Sequence, residues 1–332
     1  MSNPIAVYSG STVLYWSAIV IALGLFASLL MSLSLQATNR GRAFVMLLFF
    51  PLALVFSLPL CRAVHWYCHV EQYGSLGSAL TDYGSGSFVL PAALLGCWLA
   101  AFLATRLDDR RTARLLDAFA PGAALAVAFI RLSALFNSSC RSKIPVTKTF
   151  LQHLPLASGI TNSAGQVEYR FATFFVQFLM MLLLCWLLLR FFYRRRNVPM
   201  KSGSREGNVA RMFLLWYSAS EMLMDSTRYD SSFLPFNGFI SLVQIVAAVS
   251  ILALLIYYSI HSVRANGLRP MHWVLWIGWF LALAGGGISE YLVQRHGDWY
   301  LSCYSAMAVC CILMALAVSR MYRSCCLQAS EE

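Results

Sequence analysis

The sequence predicts an all-α fold: a polytopic bundle of about nine transmembrane helices, forming one integral membrane domain over residues 1–332. Hydrophobic residues make up 59% of the chain and charged residues only 12%, too few charges to cover a soluble domain of this length. The apolar residues form long continuous blocks, and a block of about 20 such residues matches the hydrocarbon thickness of a bilayer. These blocks lack the alternation of polar and apolar residues that a membrane β-barrel requires.

Nine blocks are candidate spans, with ends that the pattern fixes to within a few residues. In order they are 12–35, 43–67, 87–106, 116–137, 171–193, 209–226, 237–260, 272–293 and 300–322. The first ten residues contain no Lys or Arg, so the first block is predicted to be a retained helix and not a cleaved signal peptide. The sixth block is the least apolar, because Glu221 and Asp225 lie inside it.

The net charge of +11 is concentrated in alternate loops. Arginine and lysine follow the first, third, fifth, seventh and ninth blocks, in the stretches 40–42, 106–114, 190–205, 264–269 and 320–323. By the positive-inside rule these loops are cytoplasmic, which places the N-terminus outside and the C-terminus in the cytoplasm. The basic charge is therefore interpreted as a topology signal with attraction to anionic lipid, and nucleic acid is not a predicted partner.

Two loops on the predicted outer side are long, 68–86 and 138–170. Long loops in a compact protein often cover a functional site, although a disordered connector remains the alternative for each.

A few ionisable residues lie inside or just beyond the apolar blocks. They are Arg62, Arg131, Glu221, Asp225, Arg228 and Glu290. A charge in hydrocarbon is costly unless it faces water or a partner, so each is a functional candidate. Glu290 follows three glycines and is interpreted as a packing or snorkelling residue.

Glu221 and Asp225 are four residues apart and share one helix face, with Arg228 one turn further on. Two neighbouring carboxylates in a low dielectric require cations nearby. One interpretation is a structural ion-pair network that joins helices 2, 4 and 6. The other is a polar cavity, open to the outer leaflet, in which arginine binds a lipid phosphate through its planar fork.

Four stretches of the chain resemble a known family. LLDAFAPGAALAVAFIRLSALFN (115–137) is similar to the signature helix of the bacterial prolipoprotein diacylglyceryl transferases. The matching positions are Asp117, Ala120, Pro121, Arg131 and Asn137. Three further stretches, 13–28, 58–66 and 216–230, resemble other helices of that family in the same order. The resemblance covers about residues 10–260, which implies a seven-helix core with 272–322 as an added helical hairpin.

That family moves a diacylglyceryl group from phosphatidylglycerol to a cysteine thiol in the lipobox of a preprolipoprotein, and releases glycerol phosphate. The resemblance implies this type of transfer here, from phosphatidylglycerol or another anionic phospholipid to a prolipoprotein thiol or a related acceptor. It would take place at the outer leaflet of the bacterial cytoplasmic membrane, with no metal or other cofactor. The implied phospholipid-binding residues are Arg131, Arg228, Arg62, Asn137 and Tyr217. The candidate catalytic residues are Glu221, Asp225 and His65.

The sequence also departs from the family pattern. No histidine stands in SFVLPAALLG (87–96), where the family has a histidine loop, and Glu221 replaces a family arginine. These departures favour an alternative, a non-catalytic homologue that binds lipid or a membrane partner. A transporter is a third hypothesis, based only on the intramembrane carboxylates.

Overall fold

The structure, a computed structural model, is helical with two small hairpins. It describes residues 5–9, 12–36, 40–73, 75–81, 89–106, 111–136, 142–153, 156–161, 166–195, 206–229, 231–234, 238–296 and 299–326. The helices are α1 (Trp16–Ser34), α2 (Arg40–Cys68), α3 (Leu76–Thr81), α4 (Leu90–Arg106), α5 (Thr112–Ser133), α6 (Thr149–Gln152), α7 (Thr173–Arg195), α8 (Asn208–Ser226), α9 (Leu242–Asn266), α10 (Pro270–Arg295) and α11 (Tyr300–Cys325). The strands form two antiparallel pairs, β1 (Ile5–Ser9) with β2 (Thr12–Tyr15) and β3 (Ala157–Thr161) with β4 (Val167–Phe171).

Each of the nine predicted blocks contains a helix, so the polytopic helical fold is confirmed. Within the described ranges, seven helices are long and apolar enough to cross a membrane: α1, α2, α5, α7, α9, α10 and α11. Of the other two, α4 is apolar but has only 17 residues, and α8 carries the buried polar residues described below. The prediction for the first block was wrong at its start, because residues 12–15 pair with β1 as a strand and α1 begins at Trp16.

The centre of the bundle is α5, which packs against α1, α4, α7 and α8. Its buried face consists mainly of alanine and glycine, which allow helices to approach closely. At Gly122, an added Cβ atom would lie 2.8 Å from the backbone oxygen of Ser28 in α1. The C-terminal hairpin, α10 and α11, packs on the rest of the bundle mainly through α11, which lies against α8 and α9, while α10 reaches both helices through side-chain hydrogen bonds.

The N-terminus of α8 is held by a side chain of α5. Asp117, 4% exposed, accepts hydrogen bonds from the backbone N–H groups of Gly207 at 2.7 Å, Val209 at 2.8 Å and Ala210 at 3.0 Å. These N–H groups have no acceptor within the first turn of a helix, so the carboxylate satisfies them and the helix dipole favours its charge. Gly207 adopts a φ of +89°, which favours glycine at this position.

This contact aligns α5 with α8 along their length. Asp117 and Gly207 are 90 residues apart in sequence, and so are Arg131 and Glu221, which meet near the other ends of the same two helices. The two helices therefore run parallel and in register. We call the end with Asp117 the inner end and the end with Arg131 the outer end, after the topology predicted from the loop charges.

Candidate active site

A row of polar side chains follows one face of α8 toward its outer end. Tyr217, Glu221 and Asp225 are spaced by four residues, about one helical turn, and are 2%, 1% and 3% exposed. Because α8 lies against α5 and α7, this face meets polar groups from both neighbours.

Glu221 is the centre of the first set of contacts. The guanidinium group of Arg131 in α5 forms a buried ion pair with one carboxylate oxygen of Glu221. The side-chain amide of Gln177 in α7, itself 1% exposed, donates to the other oxygen at 2.5 Å. Both oxygens of Glu221 are thus engaged, and α5, α7 and α8 are joined at one point.

Further charges surround this point. Arg131, Arg228, Glu221 and Asp225 all lie within electrostatic range of the Tyr217 phenol. The structure therefore brings together five of the residues selected from the sequence. Their roles in binding or catalysis stay predictions.

Three buried polar atoms in this cluster have no hydrogen-bond partner among the described residues. They are Nε of Arg131, the hydroxyl of Tyr217 and Oδ2 of Asp225. A buried polar atom left unpaired costs about 1–3 kcal/mol, and in a native protein such an atom calls for an explanation. The first two are donors and the third is a carboxylate acceptor, a combination that suits a ligand with both an oxyanion and a proton to give up.

Arg62 and His65 lie in a second cluster, formed by α2 and the outer segment that follows it. Arg62 is fully buried, and its Nε donates to the backbone oxygen of Ala79 in α3 at 2.9 Å. His65 is 4% exposed, and its ring centroid lies 4.2 Å from that of His69 and 5.9 Å from that of Tyr73. This cluster belongs to α2 and α3, whereas the first belongs to α5, α7 and α8.

Asn137, the remaining candidate from the sequence, lies outside the described residues. Conversely, Gln177 was missed as a candidate. The available signal was an amide within an otherwise apolar helix, a type of residue that often hydrogen-bonds across helices in membranes. No group of three or more metal-ligating side chains is found in the part of the chain that the structure describes.

Comparison with known protein families identifies the family of this chain. The family model described as "Prolipoprotein diacylglyceryl transferase" matches residues 4–260. The chain belongs to the prolipoprotein diacylglyceryl transferase family. The resemblance of the sequence stretches is thereby confirmed.

Individual relatives match over most of both chains at modest identity. The phosphatidylglycerol–prolipoprotein diacylglyceryl transferase of Lysinibacillus sphaericus is 24% identical over 257 residues, which cover 75% of this chain and 88% of the relative. The proteins of the same name from Halalkalibacterium halodurans and Bacillus licheniformis are each 26% identical. They cover 78% and 76% of this chain, and 86% and 92% of their own lengths, respectively. The family match contains the whole α5–α7–α8 cluster and ends before α10.

Proposed function

We propose that this protein is a phosphatidylglycerol–prolipoprotein diacylglyceryl transferase of the bacterial cytoplasmic membrane, acting at the outer leaflet. One observation carries the proposal: within a chain of this family, two donors and one carboxylate oxygen that have no hydrogen-bond partner among the described residues are buried in a single cluster at the outer end. The reaction needs both kinds of group. Donors stabilise the phosphate as it leaves, and an acceptor takes the proton of the attacking thiol.

Arg131, Arg228 and Tyr217 are assigned to the lipid phosphate. The guanidinium of Arg131 pairs with Glu221 through one nitrogen and keeps its Nε–H for a phosphate oxygen, and the Tyr217 hydroxyl supplies a second donor. Donors that are already oriented stabilise a developing charge without having to reorganise during the reaction.

Asp225 is assigned as the general base. Glu221 is less suited, because Arg131 and Gln177 occupy both of its oxygens, whereas Oδ2 of Asp225 is unoccupied among the described residues. In the proposed step the lipobox cysteine gives its proton to Asp225 as its sulfur bonds to the carbon of the diacylglyceryl group that carries the phosphate. The carbon–oxygen bond to the phosphate breaks, and glycerol phosphate leaves with the electron pair.

Arg62 and His65 receive a different role under this proposal. Arg62 donates to the backbone of Ala79 in α3, and His65 packs against His69 and Tyr73 of the segment before α3, so we assign both to the support of the outer segment.

The direct test uses the purified full-length protein with phosphatidylglycerol and a peptide that contains a lipobox cysteine. We expect release of glycerol phosphate together with a diacylglyceryl mass increase on the peptide. Asp225→Asn and Tyr217→Phe each remove one group that acts on the reacting atoms, and each is expected to lower the rate about 100-fold or more. Tyr193→Phe, at a residue 71% exposed near the inner end of α7, is the matched control and should match the wild type.

Absence of release by the folded wild-type protein would contradict the proposal. If phosphatidylglycerol were still retained under those conditions, the protein would be a lipid-binding homologue without transferase activity.

A further inference from the structure

The C-terminal hairpin, which lies beyond the family match, contacts the outer end of α8. Glu290 in α10 is 4% exposed and accepts a hydrogen bond from the hydroxyl of Ser226 at 2.5 Å. The hydroxyl of Tyr304 in α11 donates to the backbone oxygen of the same serine at 3.3 Å. Both helices of the hairpin therefore hold the residue that follows Asp225, and Glu290 is buried in a packing contact and does not snorkel.

Lys143, in the outer segment after α5, connects this contact to the site. Its backbone N–H donates to the oxygen of Thr227 at 2.7 Å, which places the residue directly beyond the end of α8. Its ammonium group donates to the side-chain oxygen of Gln294 in α10 at 3.3 Å. Gln294 in turn donates to Glu290 at 2.9 Å, so α10 holds the ammonium through a short chain of hydrogen bonds.

The electrostatic surroundings of this ammonium point toward the site. Burial lowers the pKa of Lys143 below the usual value for lysine, while the carboxylates of Glu290 and Asp225 act in the opposite direction. Lys143 is thus a partly buried cation within range of the carboxylate that we assign as the base. It also lies at the C-terminus of α8, where the helix dipole attracts positive charge.

The partners of Lys143 differ from those of Arg131 in strength. Arg131 is bound to a carboxylate, whereas the ammonium of Lys143 is bound to the neutral amide of Gln294 at 3.3 Å. The ion pair of Arg131 adds the attraction of two opposite charges to its hydrogen bond, and the bond of an ammonium to a neutral amide lacks that attraction. The ammonium of Lys143 can therefore be transferred to an arriving oxyanion at lower cost. The long, flexible lysine stem provides the necessary movement.

We propose that Lys143 is a third phosphate-binding cation of this site, beside Arg131 and Arg228, and that Glu290 and Gln294 position it, so that the C-terminal hairpin is part of the binding site. This inference rests on the proposed function, because it takes the ligand to be a phosphate ester. A lipid headgroup and a free phosphate share that chemistry, and the experiment separates them.

The test measures the affinity of the purified full-length protein for phosphatidylglycerol by titration in detergent with native mass spectrometry. Lys143→Met should weaken binding about tenfold or more, the effect of losing one hydrogen bond to a charged group. Lys143→Arg should restore most of the affinity. Lys148→Met, at an exposed residue of the same outer segment, is the control and should leave the affinity unchanged.

The positioning role is tested by combining variants. Glu290→Gln should weaken phosphatidylglycerol binding in the wild-type background but cause little further loss in the Lys143→Met background, because both changes remove one effect. If Glu290 had a merely structural role, Glu290→Gln would cause the same loss of lipid affinity in both backgrounds. The midpoint of thermal unfolding, measured for each variant, identifies losses that arise from misfolding.

The same titration with glycerol phosphate in place of the lipid identifies the source of the phosphate. If the protein bound glycerol phosphate but not phosphatidylglycerol, and this binding depended on Lys143, the lipid assignment would be overturned. If Lys143→Met bound phosphatidylglycerol with wild-type affinity, the inference about Lys143 would be overturned and the proposed transferase function would still stand. Lysine-dependent lipid binding in a protein that releases no glycerol phosphate would uphold the binding role and remove the proposed function alone.

Discussion

The two ends of the α5–α8 pair both hold buried carboxylates, but they differ in how fully their buried polar atoms are hydrogen-bonded. At the inner end, both oxygens of Asp117 accept hydrogen bonds, from three backbone N–H groups of the segment that opens α8. At the outer end, Glu221 is equally well paired, but Tyr217 and Asp225 on either side of it each keep a buried atom without a partner among the described residues.

The difference separates a structural site from a binding site on the same two helices. Because an unpaired buried polar atom costs free energy, a site with only a structural role is expected to pair its atoms, as Asp117 does. The incomplete outer end is the arrangement expected where a ligand completes the hydrogen bonds. Three predictions test this contrast, from the largest expected effect to the smallest.

Arg131→Ala should have the largest effect at the outer end. It leaves Glu221 buried without its cation, and breaking a buried ion pair in this way costs about 3–5 kcal/mol of unfolding free energy. Phosphatidylglycerol binding should be lost as well. Denaturant unfolding in detergent and lipid titration measure the two effects.

Glu221→Gln is the counterpart of Arg131→Ala, because it keeps the shape of the side chain at position 221 and frees the Arg131 guanidinium from its ion pair. We expect it to retain or increase lipid affinity. Loss of affinity in Glu221→Gln as severe as in Arg131→Ala would indicate that the ion pair itself is the functional unit, and that both ends are structural.

Asp117→Ala should destabilise the protein by about 2–4 kcal/mol, because three N–H groups at a buried helix start lose a charged acceptor. The affinity of the folded fraction for phosphatidylglycerol should stay at the wild-type value. Asp117→Asn, which keeps one acceptor oxygen, should cost about half as much. A fall in lipid affinity without a change in unfolding free energy would contradict the structural assignment.

Glu206→Gln should have the smallest effect, about 1 kcal/mol or less, since the carboxylate pairs with the exposed Arg111 and Arg114 at the inner surface. Burial alone would raise the pKa of Glu206, but these two arginines outweigh it and the pKa lies below the usual value. A carboxyl with a lowered pKa stabilises the folded state above its unfolded-state pKa of about 4.5 and loses that contribution as the pH falls through the folded-state value. The difference between wild type and variant should therefore be present at pH 7 and vanish in acid, as pH-dependent unfolding would measure.

Much of the fold could be predicted because long apolar blocks have few alternatives to spanning helices. α9 and α11, for example, follow directly from their composition. The start of α1 could not be predicted, because residues 12–15 are as apolar as a helix start and only their pairing with β1 makes them a strand. The block pattern reports hydrophobicity and carries no information about such local pairing.

The candidate site was predictable in its charges but not in their connections. Arg131, Glu221 and Asp225 stand out because charges are rare in apolar segments. Gln177 and Asp117 acquire their roles from contacts across 44 and 90 residues of sequence, which no local pattern encodes. Lys143 lies in a polar loop, where a lysine is ordinary, and only the hairpin against it gives it a particular environment.

The polarity of α8 has a consequence for how the protein is made. This helix corresponds to the least apolar of the nine candidate spans, and its first turn relies on a carboxylate from α5. During biosynthesis α5 and α7 emerge from the ribosome earlier, so their polar side chains are ready to receive α8 as it leaves the insertion machinery. The order of the helices in the chain thus favours assembly, because the polar partners of α8 are synthesised before α8 itself.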